Sequence, residues 1–327
     1  MVNKSNYIKI GLLVITTVFI FNASRFIKNS TFYQRKAGNE ETGMFLKNLD
    51  TVAETEIEES ILAASVKSRK RKTTKPPVAQ PINGTDNLKT NQTIEETGSM
   101  TSSSSSVWWL NSGGRFDIKN GIGSTIKGDL PSTDKWFKEY SSSNPTDTDN
   151  GLHPQNIFRL VQKGNWQDFY QQVYFKISKI NESESGNRNA SNGVLLFNRY
   201  QSGDNLYYAG LRVDGGVVIK KKYNGKYYTL AYKKIFDQET YNINSNPNLI
   251  PLNLWIGIKT ELKNLPDGTV SVKLFVDQDR TGNWVESLNV IDKPGTKGSG
   301  VISGGGYAGI RSDFMDVEFK DYLIESI

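Results

Sequence analysis

All six tryptophans and 29 of the 36 aromatic side chains lie after residue 106 of this 327-residue chain, and none lies between Phe45 and Trp108. A segment without large apolar groups cannot bury enough surface to offset the entropy of ordering itself. The chain therefore reads as a tethering third, residues 1–106, followed by a folded two-thirds, residues 107–327. Charge divides the same way. The first part carries 14 basic and 10 acidic side chains and the second 26 and 24, so most of the net +6 belongs to the tether. A nearly neutral folded part argues against nucleic acid as the partner.

Within the tether, Ile10 to Phe21 reads IGLLVITTVFIF, with Lys4 and Lys9 before it. Twelve helical residues cover ~18 Å, and extension from Tyr7 to Phe26 gives ~30 Å if Lys9 snorkels toward the headgroups. Residues 1–30 are thus expected to be a membrane-anchor helix. A cleaved secretory signal is the alternative, opposed by Phe21 and Asn22 where small residues are wanted. Both place the remainder at the cell surface: a single-pass protein with its folded domain outside, or a secreted one. Residues 31–106 read as stalk and disordered linker, with a basic run Lys67–Lys72 and a serine run Ser102–Ser106.

After Trp108, stretches of five to nine residues rich in Val, Ile, Tyr and Phe alternate with Gly, Asn, Asp and Pro. Examples are YQQVYFKI (170–177), LYYAGLRV (206–213), LWIGIKTE (254–261) and TVSVKLFV (269–276). Asp214-Gly215-Gly216, Asn224-Gly225 and Asp267-Gly268 stand between such stretches, where tight hairpins need positive φ. No run keeps a 3.6-residue period for twelve residues, so no intervening helix is expected. The fold class is all-β, an antiparallel jelly-roll β-sandwich.

Chemistry is narrowed by what is missing. The chain has no cysteine and one histidine, His153. That excludes disulfides, thiolate zinc, a cysteine nucleophile and any metal site needing two imidazoles.

The succession Asn198-Arg199-Tyr200, YYAGLRVDG (207–215), IKKKYNGKYYTLA (219–231), LWIGIKTE, TVSVKLFVD, Trp284 and GGYAGIRSDFMDVEFKDYLI (305–324) resembles the concanavalin A-like lectin/glucanase superfamily. The ending is similar to its laminin-G-like and keto-disaccharide-hydrolase-like branches. The resemblance covers about residues 107–327. It implies a jelly roll that hosts lectins, hydrolases, lyases and adhesion modules alike. The glucanase string E-x-D-x-x-E is absent, and Asp316, Glu318 and Asp321 reproduce it poorly. Tyr208 and Arg212 share a strand face, as a lyase would need, but the other lyase strings are missing and His153 lies in a turn. No catalytic residue is therefore assigned.

Binding fits better. Tyr207, Ala209, Leu211 and Val213 form one strand face, for the core; Tyr208, Gly210, Arg212 and Asp214 form the other. Sugars stack on aromatic rings while Arg and Asn bond their hydroxyls. Arg199, Tyr200, Tyr208, Arg212, Lys220, Lys222, Tyr228 and Trp255 are the candidate ligand-binding residues, and the cations among them favour an acidic polysaccharide. Asp277 to Asn283 has oxygens at alternate positions and Gly at the sixth. Asp277 and Asp279 could there hold calcium, or the segment is a plain hairpin turn; no other cofactor is implied. The expected function is that of a cell-surface, lectin-like protein recognising a polysaccharide on one sheet face. A polysaccharide lyase or glycosidase of the same fold is the alternative, and a structural adhesion module a third reading.

Overall fold

The short alternating stretches fold as strands, and in the computed structural model, which describes residues 88–327, fifteen of them form two antiparallel sheets. In chain order they are β1 (Gln92–Glu95), β2 (Trp108–Ser112), β3 (Arg115–Lys119), β4 (Ile122–Ser124), β5 (Ile157–Trp166), β6 (Phe169–Ile180), β7 (Gly193–Ser202), β8 (Asn205–Arg212), β9 (Gly216–Tyr223), β10 (Lys226–Lys234), β11 (Ile256–Asn264), β12 (Val270–Asp277), β13 (Val285–Asp292), β14 (Gly306–Asp313) and β15 (Met315–Ser326). One sheet has eight strands in the order β1-β3-β4-β15-β6-β11-β12-β13, the other seven in the order β10-β9-β8-β7-β14-β5-β2. This is the all-β sandwich that the resemblance implied. The anchor expected at 1–30, and the stalk up to residue 87, lie outside the described residues. Among the described residues no helix is long and apolar enough to cross a membrane.

Alternation decides which side chains meet between the sheets. Tyr207, Ala209 and Leu211 of β8 join Val217 and Ile219 of β9, and face Val173 and Phe175 of β6, Ile258 and Leu262 of β11 and Val272 and Leu274 of β12 in one core. Each fully buried Val, Leu, Ile or Phe among them is worth roughly 1.5–3 kcal/mol. The β9–β10 hairpin turns at Asn224 (φ 50°) and Gly225 (φ 83°), the paired positive φ angles of a two-residue turn.

Two expectations are corrected. Order begins before residue 107. Leu88 and Ile94 are fully buried, and β1 pairs with β3 from Gln92↔Ile118 to Glu95↔Arg115 inside the stretch expected to be linker. Its hydrophobic contribution is only two residues, which is why composition hid it. A helix also interrupts the strands: α1 (Lys135–Ser143), capped by Asp134, whose carboxylate accepts from Trp136 N at 2.8 Å. Only Tyr140 of α1 is buried, too little to leave a helical period. Side chains tie α1 to β1: Trp136 Nε1 donates to Glu95 (2.6 Å) and the Tyr140 hydroxyl to Glu96 (2.5 Å).

At one end of the sandwich the segment 293–305 crosses from β13 in one sheet to β14 in the other. Two buried cations fasten it. Lys221 Nζ donates to Asp292 Oδ1 (2.9 Å) and to the Gly300 carbonyl (2.7 Å), while the Tyr207 hydroxyl donates to Asp292 Oδ2 (2.7 Å). The Arg199 guanidinium donates to the carbonyls of Ile302 and Gln167 (both 2.7 Å), to Asn264 Oδ1 (2.8 Å) and to Asp168 Oδ1 (3.0 Å). Asp292→Ala would leave the Lys221 ammonium buried without its carboxylate, an expected loss of about 3–5 kcal/mol in urea unfolding. Lys221→Met/Asp292→Leu should recover most of it. A single-variant loss of less than about 1 kcal/mol, the scale of an exposed pair, would show that the pair does not fasten the crossover.

Candidate functional site

The outer face of the seven-stranded sheet carries a second apolar cluster, separate from the core. Trp109 (β2), Val161 (β5), Leu195 and Phe197 (β7), Leu206 and Tyr208 (β8) and Val218 (β9) are buried there, with Met100, Tyr200, Tyr227 and Tyr307 packed around them. The register lines them up: Trp109 stands opposite Val161, Val161 opposite Gly309, Gly309 opposite Phe197, and Phe197 opposite Tyr208. Gly309 leaves the place that the Phe197 ring fills, since a Cβ there would lie 2.3 Å from that ring.

A shallow hollow of about 30 Å³ opens over this cluster, lined by Asn111, Arg159, Val161, Phe197, Tyr200, Gly203, Leu206 and Tyr208. Tyr208 stacks on Tyr227 (centroids 6.4 Å, 25°), and the Arg311 guanidinium lies 5.4 Å from the Tyr208 ring centre. Arg311 is directly opposite Arg159 across β14 and β5. The two guanidiniums differ in one respect. Arg311 Nε bonds Asp313 Oδ1 at 2.8 Å; burial works against its charge, but Asp313 outweighs it and holds the pKa well above the usual arginine value. The side chain of half-buried Arg159 forms no ion pair and no hydrogen bond among the described residues, though its charge acts on the Tyr140 phenol. The hollow thus combines tyrosine rings, an apolar floor, one amide and one guanidinium without an ion pair among the described residues.

The residues named from the sequence distribute unevenly. Tyr200 and Tyr208 line the hollow, and Lys220 stands beside it, opposite Tyr208. Arg212 is on the same face but about 13 Å further along β8. It is pinned there by Asp214 (2.8 Å), by the Ala190 carbonyl (3.1 Å) and by the Tyr232 ring (5.1 Å). Lys222 is 2% exposed, its ammonium 4.8 Å over the Tyr227 ring.

Three expectations are corrected. Arg199 is fully buried and turned inward: its φ of 48° and the register shift between Asn198 and Ser202 make a bulge, so that Asn198 and Arg199 both face in before Tyr200 faces out. Tyr228, opposite the inward Lys221, lies on the other side of the sheet from Tyr208. Trp255 belongs to the eight-stranded sheet, beside Lys320 and Lys176. Sequence reasoning missed Arg159, Arg311, Asn111 and Trp109. The alternation Phe158-Arg159-Leu160-Val161 was the available signal, obscured by the Gln-Lys-Gly-Asn that follows it.

The donor set around Asp277 and Asp279 shows no calcium site among the described residues. Asp277 is 2% exposed, and its carboxylate already accepts from the Tyr174 hydroxyl (2.7 Å), Gly282 N (2.8 Å), Thr281 N (3.1 Å) and Thr281 Oγ1 (3.2 Å). Donors, not further acceptors, surround it, while Asp279 faces solvent. Among the described residues no group of three or more His, Asp or Glu could hold a metal ion. The segment is a hairpin turn closed by its own carboxylate. His153 and the carboxylates of β15 are likewise engaged. His153 bridges Asp149 (2.7 Å) and Asp129 (2.8 Å); Asp316 accepts from Gly128 N, Gln155 and Asn181; Glu318 sits between Lys127 and Lys176.

A larger cleft, of about 350 Å³, opens between the edge of β10 and the β12–β13 hairpin, lined among others by Lys233, Val276, Asp279, Val285 and Glu286. No aromatic ring lines it, so it lacks a stacking surface.

No family model matches the chain, and no curated protein matches it. Among solved structures it is similar to the carbohydrate-binding module CBM66 from Bacillus subtilis (16% identity, TM-score 0.37, 53% of this chain and 83% of that one). It is also similar to the GH43 protein BlXynB from Bacillus licheniformis (11%, 0.41, 77% of this chain and 41% of that one) and to the VIP36 exoplasmic/lumenal domain in its Ca2+/Man-bound form (12%, 0.36, 72% and 89%). At these values the two-sheet architecture stands on the strand order and register themselves.

The turn carboxylate gives a pH test. Burial pushes Asp277 up, but the bonds from Tyr174, Thr281 and Gly282 prevail and hold it below the usual carboxylate range. A depressed carboxyl stabilises the fold above the unfolded value of about 3.9, and that contribution fades as pH falls through the lower folded value. Asp277→Asn should therefore lower the melting temperature at neutral pH, with the gap to the parent closing below pH about 4. Melting of the parent should be the same in calcium and in EDTA. A pH-independent gap would refute the carboxylate's role, and a calcium-dependent rise would restore the metal reading.

Proposed function

We propose that the chain binds carbohydrate on the outer face of its seven-stranded sheet, with the hollow of Tyr200, Tyr208, Arg159 and Asn111 as the contact point. The observation that carries this reading is Arg159: a half-buried guanidinium beside tyrosine rings, without an ion pair or hydrogen bond among the described residues. A guanidinium fork bonds vicinal hydroxyls or a carboxylate, and rings offer stacking to the apolar side of a sugar. Arg212 and Arg311 are each paired with a carboxylate, so hydroxyl recognition fits this face better than a densely charged chain does. The apolar run Ile10–Phe21 supports presentation at the cell surface or secretion.

Glycan-array binding by the full chain tests the reading. Arg159→Ala should weaken binding about tenfold, the effect of roughly 1.4 kcal/mol, with an unchanged melting temperature because no bond within the described fold is lost. Tyr208→Ala should weaken it as well, at some cost in stability. Equal binding by parent and Arg159→Ala would refute the site. New reducing ends or unsaturated uronates released from the bound glycan would make the chain an enzyme of this fold instead.

A further inference from the structure

The outer face of the eight-stranded sheet has a different composition. Gly257 and Lys259 of β11 point the same way, about 7 Å apart, and Trp255 stands just before the strand. Trp284, from the β12–β13 turn, folds back over Gly257, where a Cβ would lie 2.7 Å from the indole. It packs against Tyr174 (centroids 5.4 Å, 42°). The result is a strip of rings running across the sheet, half-buried Trp255, Trp284, Phe275 and Tyr170 about the buried Tyr174.

Cations are seated on these rings. The Lys320 ammonium is 4.0 Å and that of Lys176 5.0 Å from the centre of the Trp255 ring. Lys259 lies 4.9 Å from Phe275 and 5.6 Å from both Tyr170 and Trp284. The carboxylates nearby are committed: Glu318 to Lys127 and Lys176, Asp321 to Arg280 (3.0 Å), Glu261 to Lys273 (3.1 Å). Lys259 and Lys320 therefore have no carboxylate within ion-pair distance among the described residues. Crowding is felt at Lys320, whose pKa is lowered by burial first and then by the charges of Arg280 and Lys176, against the opposing pull of Asp321 and Glu318.

We propose that this face is a second binding surface, for an anionic polysaccharide whose carboxylate or sulfate groups meet the Lys259 and Lys320 ammoniums held over the aromatic strip. Rings that hold the ammoniums in place reduce the rotamer entropy lost on binding. Charge complementarity selects the class. Committed carboxylates interspersed among the cations make the face unlike the uniform basic field that a DNA backbone or an anionic bilayer requires. Spaced anions separated by apolar sugar faces match it. The proposal is independent of the hollow on the opposite sheet; both together would let one domain engage two glycan segments.

The test is binding of the full chain to immobilised chondroitin sulfate and polygalacturonate, so that the basic run Lys67–Lys72 stays constant across variants. Lys259→Gln/Lys320→Gln should weaken binding to at least one of them about tenfold and flatten its salt dependence. Melting temperature, and the Arg159-dependent glycan binding, should be unchanged. Trp255→Ala should weaken the same binding and Trp255→Phe restore most of it. Parent-like binding by the double variant would overturn the proposal, as would an absence of binding to both polymers by the parent. An equal loss of binding to duplex DNA or to phosphatidylserine vesicles would overturn it too, by showing a non-selective basic patch. Loss of the Arg159-dependent binding alone would count against the hollow and leave this face standing.

Discussion

Two buried cations, Arg199 and Lys221, decide how the two sheets stand against each other. Both sides of the sandwich are antiparallel ladders that satisfy themselves, and the interior between them is non-directional hydrophobic packing that would tolerate several relative placements. The crossover 293–305 removes that freedom. It starts at Asp292, which neutralises Lys221, and continues through Gly300 and Ile302, whose carbonyls accept from Lys221 and Arg199. A buried charge tolerates little displacement from its partners, because each lost bond leaves an unsolvated ion. The strand that follows is β14, an interior strand of the seven-stranded sheet, between β7 and β5. The placement of Arg311 against Arg159, and of Gly309 under Phe197, follows from where that crossover delivers the chain.

The same event disposes of Arg199 as a surface residue. In an unbroken strand, Phe197 and Arg199 would share the outer face, and Arg199 would add a cation to the hollow. The bulge spends one residue, turns the guanidinium to the sandwich end, and returns Tyr200 to the outside. What the outer face loses in charge it keeps in ring surface. Several of its cations are drawn down onto rings or onto carboxylates two positions away: Arg212 with Asp214, Arg311 with Asp313, Lys222 over Tyr227.

Residues whose roles follow strict alternation were legible in the sequence. Tyr207, Ala209 and Leu211 go in and Tyr208 goes out, and Asn224-Gly225 turns a hairpin, because period and turn chemistry are local properties. Features that depend on a break in alternation or on a distant partner were not. The Arg199 bulge is set by Gly306, a neighbour only in space, where a Cβ would meet the Arg199 carbonyl carbon at 2.5 Å. Trp255 looks like any aromatic in LWIGIKTE until the sheet order places β11 in the other layer from β8. Asp277 reads as a calcium ligand by spacing alone, and only the Tyr174 hydroxyl from β6, 103 residues away, shows that its oxygens are taken. β1 is invisible because a strand with one buried side chain, Ile94, earns its place through backbone pairing and through the carboxylates it lends to α1.

The two outer faces solve opposite problems with the same side chains. On the seven-stranded sheet, carboxylates follow closely on the arginines in sequence, Arg212-Val213-Asp214 and Arg311-Ser312-Asp313, so each strand neutralises its own cation and rings and hydroxyls dominate what is left. On the eight-stranded sheet the lysines are on β6, β11 and β15 while the carboxylates are fewer and shared, one Glu318 between two ammoniums. Aromatic rings hold the excess there, at 4.0 to 5.6 Å. A cation–π contact stabilises an ammonium without cancelling its charge, whereas an ion pair cancels it. The field above the second face therefore survives the folding that creates it, whereas on the first face Arg212 and Arg311 are each cancelled by a carboxylate.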